Sequence, residues 1–226
     1  MPLDDDLNAA LSPLHFGFTA PMWGGAIQLQ ISRIKPVEDL AIRQISAWKA
    51  IQAGNPSADH LAAQAEFEAA LAIDPEADRA FLVLLHPTVS RDAVFLVIAI
   101  RGLLSAAEQM ASQASALGKG AALKAAVVRF TNAQPLAKRF RDVIIHFDEY
   151  AVGGGRDRGK ATKPEEGMGV GQDDDGRIHV TWGGHTMNLL QAAEDALTLW
   201  RDLNREFWGK LHTSTQELPV KDEPAQ

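Results

Sequence analysis

Arg141-Asp142-Val143-Ile144-Ile145-His146 sets a guanidinium and an imidazole five residues apart, with a carboxylate beside the first. Groups of these types are suited to cutting RNA without a metal. A base near neutral pKa helps the substrate's own 2′-hydroxyl attack the neighbouring phosphate, and a cation stabilises the charge that builds on the phosphorane. His146 is the candidate general base or acid, and Arg141 the phosphate and transition-state cation. Asp142, four residues before His146, is spaced to orient its imidazole. Lys138 and Arg139 are auxiliary phosphate contacts, and Glu149 and Tyr150, one turn later, are further substrate-binding candidates. The competing reading is a plain surface pattern, in which Arg141, Asp142, His146 and Glu149 form helix ion pairs worth a few tenths of a kcal/mol each.

The bare spacing recurs at Arg79 to His86 and Arg139 to His146, so the longer run around Arg141 carries the distinction. Arg-Asp-Val-Ile-Ile-His-Phe-Asp-Glu-Tyr before a Gly-rich exit resembles the Arg-x4-6-His signature of the HEPN superfamily, in an uncharacterised bacterial branch, over roughly residues 88–211. The resemblance implies an all-α bundle. It also implies a metal-independent endoribonuclease with Arg141 and His146 as its site, or a non-catalytic module that binds a protein or nucleotide partner. Asp142 stands where many members have Asn. On an ideal helix Arg141 and His146 lie about 140° apart, so one helix presents them poorly. The two-fold homodimer that the resemblance implies would gather two copies of each in one cleft.

Other motifs point to structure. Asp173-Asp174-Asp175-Gly176 is acidic, but a calcium loop starting there would need Glu at position 184, which is Gly, so it reads as a turn. Gly167, Gly169 and Gly171 lack the strand-then-helix setting of a phosphate loop and read as flexibility. His179 and His185 flank a turn without further ligands. No metal site and no cofactor are expected.

The elements that must position these residues follow from periodicity. The fold class is mainly α, a bundle of about four long helices (36–53, 88–117, 132–152 and 188–211) with two shorter helices and a small β-hairpin at about 168–187. Residues 1–35 read as an extended arm, with Ala26 to Ile31 alternating like a half-buried strand; 36–211 form one helical domain, with a flexible loop and the hairpin within 152–187; 212–226 form a loose tail. Leu40, Ile45, Trp48 and Ile51 share one helix face. Ser57 or Asp59 caps a second helix, and Phe81, Leu82 and Leu85 mark a short third. Thr88 or Ser90 caps the longest helix, apolar on nearly every side from Phe95 to Ile100 and therefore central or paired in a homodimer. Asn132 caps the helix that carries Arg141, with Pro135 in its first turn, and Asn188 caps the last.

Composition bounds the class. The 226 residues are 46% hydrophobic and 23% charged, which excludes disorder and coiled-coil architecture. With no Cys there is no disulfide, zinc ribbon or thiol nucleophile, and the first residues lack a signal peptide's basic and apolar regions. The apolar run from Ala93 to Ile100, closed by Arg91 and Arg101, is short of the roughly 20 residues a membrane span needs. The expectation is a cytoplasmic protein without a membrane partner. Net charge is −7, yet residues 119–163 hold ten basic and four acidic residues. An anionic partner such as RNA would approach that segment.

Overall fold

The computed structural model describes residues 5–73, 87–116, 120–137, 169–182 and 184–216, with side chains described within 19–69, 89–115, 120–137, 169–181 and 184–206. The chain forms α1 (Asp5–Gln52), α2 (Ala58–Ile73), α3 (Pro87–Ala116), α4 (Ala121–Ala133), β1 (Gly169–Gln172), β2 (Ile178–Trp182), β3 (His185–Asn188) and α5 (Leu189–Gln216). It is mostly helical, with one small antiparallel sheet of order β1-β2-β3.

The extended arm expected over residues 1–35 is corrected. Residues 5–52 are a single helix, and Pro36, read as a helix start, lies inside it. Ala20, Ile27, Ile34 and Ala41 are buried at three- and four-residue-compatible intervals, and Ile27 and Ile34 are fully covered. The apolar stripe these residues make against α3 and α5 outweighs the local cost of proline, which removes one backbone donor and crowds the preceding turn. Alternation from Ala26 to Ile31 was a coincidence of composition: Leu29 is exposed and Gln30 buried.

α3 is the central helix, as expected, although α1 is longer than it. Leu96, Val97, Ile100, Leu103 and Leu104 are buried, and α3 packs against α1, α4 and α5. The cover that an all-round apolar helix requires is therefore largely supplied within one chain. By length and composition Val89–Ser115 would also suffice to cross a membrane, but most of it is buried here among the other helices. Thr88 and Ser90 lie inside α3, which starts at Pro87.

Two tryptophan-on-glycine notches set the helix spacing. The indole of Trp23 on α1 lies over Gly102 of α3, and that of Trp200 on α5 lies over Gly24 of α1. Arg33 reaches Asp92 at 3.4 Å, ten residues along each helix from the Trp23–Gly102 contact, so α1 and α3 run antiparallel. On the other side Arg129 Nη2 meets Asp202 Oδ2 at 2.7 Å, and Gln134 Nε2 donates to Asp195 Oδ2 at 2.7 Å, pinning α4 antiparallel to α5.

Asn132 does not cap the next helix: it belongs to the last turn of α4, and Pro135 stands in the turn beyond. The rest of the expected 132–152 helix from residue 138, the short helix around Phe81 and the end of the chain from residue 217 lie outside the described residues. At α5 the cap is as read, with Asn188 Oδ1 accepting from Gln191 N at 2.9 Å. The helix continues to Gln216, so residues 212–216 are helical where a loose tail was expected. The expected hairpin gains a third strand, β3, because Gly184 takes φ +74° and turns the chain back after Trp182.

The sheet is fastened to α1 by its acidic turn. Asp173 Oδ1 accepts from the backbone N–H of Asp175 (3.0 Å) and of Arg177 (2.8 Å), so this carboxylate closes its own turn. Gly176 has φ +91°, and a Cβ there would come within 2.7 Å of Ile42 N, which only glycine avoids. Lys49 Nζ meets Asp175 Oδ1 at 2.9 Å and holds that carboxyl below the usual carboxylate range.

Glu38, 5% exposed, accepts the backbone N–H of Ile178 at 2.6 Å. Burial pushes its carboxyl above the usual carboxylate range, opposed by that N–H and by Arg177 and Lys35, while Asp39 reinforces the rise. A carboxyl raised on folding favours the fold in its protonated form, so its contribution is fully present below the unfolded-state pKa and is lost as pH rises through the native one. Glu38→Gln, which keeps an acceptor and removes the charge, is expected to raise the melting temperature at pH 7 and to flatten its decline between mildly acidic and neutral pH. Glu38→Ala is expected to cost about 1–3 kcal/mol by orphaning the Ile178 N–H. Thermal unfolding of the three proteins across pH checks both; an unchanged pH slope in Glu38→Gln would refute the assignment.

Candidate functional site

Lys138, Arg139, Arg141, Asp142, His146, Glu149 and Tyr150 all lie outside the described residues. Of the basic segment, Lys124 is exposed on α4, and Arg129 is paired with Asp202.

The other sequence candidates separate. His179 is opposite Asn188 and Gly171 in the sheet, and His185 is opposite Trp182. Facing residues share a side of the sheet and successive residues alternate, so the two histidines occupy opposite faces and do not converge on one ion. Among the described residues no group of three or more His, Asp or Glu has the arrangement of a metal site. Gly169 and Gly171 are strand residues rather than a flexible loop, and a Cβ at Gly171 would fall 2.9 Å from His179 Nε2, so this glycine makes room for the ring.

Ser46 and His60 approach to 3.5 Å between Oγ and Nε2. The backbone N–H of Ser57 donates to His60 Nδ1 at 3.2 Å, which fixes the lone pair on Nδ1 and the proton of the neutral ring on Nε2. His60 therefore donates to Ser46 and does not serve as its base. With Ser57 Oγ accepting from His60 N at 3.3 Å, the arrangement is the N-terminal cap of α2, one of the two caps read from the sequence.

What the described residues do build is a groove. α1 ends in a glycine C-cap: Gly54 takes φ +71°, Asn55 N donates to Ala50 O at 3.1 Å and Gly54 N to Ile51 O at 3.0 Å. Pro56 and the Ser57 cap then start α2, folding it back along the end of α1, its main packing partner among the described elements. Arg43 and Glu66 meet across this seam at 3.8 Å. Between the two helices lies a cavity of about 750 Å³, with Ile45, Trp48 and Ile51 on one wall and Leu61 and Phe67 on the other. Trp48 is 58% exposed and Leu61 53%. The polar lining is Gln44, Gln52, Gln64 and Glu68, with no Lys or Arg. Gln64 Nε2 donates to Glu68 Oε1 at 2.7 Å, whereas Gln44 Oε1 is buried without a donor.

Sequence periodicity placed Leu40, Ile45, Trp48 and Ile51 on one face and left the cover of that face open. Its signal was the pairing of that apolar face with an alanine-rich α2 carrying few large apolar residues, which cannot cover it. Comparison with known protein families, curated proteins and solved structures finds no match, so the reading of this groove rests on its own geometry.

Proposed function

We propose that the protein is an interaction module of mainly helical fold that binds a protein partner through the α1–α2 groove. The observation that carries this is the exposure of Trp48 and Leu61 on facing walls of one apolar cleft. Large apolar side chains that converge on a cleft are the anchors from which protein interfaces draw most of their energy, whereas singly scattered ones need no explanation. A photo-crosslinking residue at position 48 is expected to give discrete heavier adducts in cells, and one at exposed Gln109 of α3 is not. Equal adduct patterns from the two positions would refute the reading.

A second reading is favoured by the Arg141, Asp142 and His146 pattern and by the basic segment around it: a HEPN-like endoribonuclease acting on RNA through 2′-hydroxyl attack. His146 is its acid–base group, Arg141 its phosphate ligand, and Lys138, Arg139, Glu149 and Tyr150 its flanking contacts. The homodimer through helices 88–117 and 132–152, and the cytoplasmic setting, belong with this reading.

A further inference from the structure

Resting on the docking role of the α1–α2 groove, we infer that its occupant is a single amphipathic helix with a basic polar face. The size of the groove argues against a second copy of the chain. A stable protein pair engages roughly 20–30 residues a side, whereas ten residues line this cleft. Its shape fits a helix. α2 has 16 residues, a length of about 24 Å at ~1.5 Å per residue, and a third helix laid between α1 and α2 would seat side chains at i, i+3, i+4 and i+7 against Trp48, Leu61 and Phe67.

Charge selects the polar face. The lining holds one carboxylate, Glu68, three carboxamides and no cation, and residues 36–73 carry five acidic side chains against two basic ones. Those two cations are already engaged, Arg43 with Glu66 and Lys49 with Asp175. Glu68 accepts from the neutral amide of Gln64 and, among the described residues, is not matched by either of these cations. A lysine- or arginine-bearing helix supplies this carboxylate with a charged donor, and an acidic helix repels it.

The test uses two fluorescent synthetic 18-residue peptides with the same leucine face, one with lysines and one with glutamates on the polar face, titrated onto the full chain. The lysine peptide is expected to bind at least ten-fold more tightly than the glutamate peptide. Trp48→Ala and, independently, Leu61→Ser should each weaken it ten-fold or more, and Glu68→Lys should shift the preference toward the glutamate peptide. Equal binding of the two peptides overturns the basic helix and leaves the docking role standing. Binding of neither overturns the docking role as well. Lysine-peptide binding that survives both Trp48→Ala and Leu61→Ser is general attraction to a chain of net charge −7 and overturns the inference. A concentration-dependent doubling of mass that Trp48→Ala abolishes makes a second copy the occupant and overturns it too.

Discussion

Alanine at Gly24 and alanine at Gly25, adjacent positions of one helix, are expected to change stability in opposite directions. Both residues lie inside α1, where glycine costs about 1 kcal/mol relative to alanine. A Cβ at Gly25 has nothing within 4 Å, so Gly25→Ala should gain most of that amount. A Cβ at Gly24 would sit 2.5 Å from Cε2 of Trp200, at the fused edge of the indole rather than at the end of a flexible chain. Trp200 packs against the core, so the ring has to push its neighbours or α5 has to move. Overpacking of this kind costs about 1–3 kcal/mol, which exceeds the propensity gain for most of its range. Gly24→Ala should therefore lower stability by up to about 2 kcal/mol, and Gly102→Ala, which drives a methyl into Trp23, should do the same. For a chain of this size the three variants should spread over several degrees of melting temperature, at roughly 2–4 °C per kcal/mol. If Gly24→Ala and Gly25→Ala both stabilise, the notch does not set the spacing of α1 and α5.

The same glycines explain why the first helix was hard to read. Gly24, Gly25, Pro21 and Pro36 are locally the marks of a loop or extended arm. They are tolerated in α1 because Trp200, nearly 180 residues away in sequence, needs the space at Gly24, and because α3 and α5 reward the buried stripe through Ile27 and Ile34. Nothing within a local window carries that information. Elements whose causes are local were legible: the Asn188 cap of α5, the Ser57 cap of α2, the Asp173 turn and the apolar centre of α3. Asn132 failed as a cap because a capping residue reads the same whether the preceding helix has ended or has one turn left. The groove was half legible. The apolar face of Trp48 is written in the sequence, but its exposure depends on how far the turn at Gly54 and Pro56 brings α2 across it.

Under the endoribonuclease reading the largest single effect falls on His146. His146→Ala is expected to lower cleavage of a labelled RNA pool in EDTA by at least about 100-fold, since a positioned acid–base group contributes about 10²–10⁴-fold. The helical circular dichroism and the mass in solution should not change. Products should end in 2′,3′-cyclic phosphate, because the attacking oxygen belongs to the substrate and no water enters the first step. Arg141→Lys keeps a charge but loses the two-pronged contact with phosphate oxygens, so it should fall less than Arg141→Ala. On the ideal helix that this reading assumes, Arg141 and His146 would diverge by about 140°, so the reading also requires the site to be completed across a pair of chains. An equimolar mixture of Arg141→Ala and His146→Ala proteins should then recover part of the activity that each lacks alone. Wild-type protein that leaves RNA intact at micromolar concentration removes this reading. A His146→Ala protein that cuts as fast as wild type assigns the activity to another source, and the interaction module then stands alone.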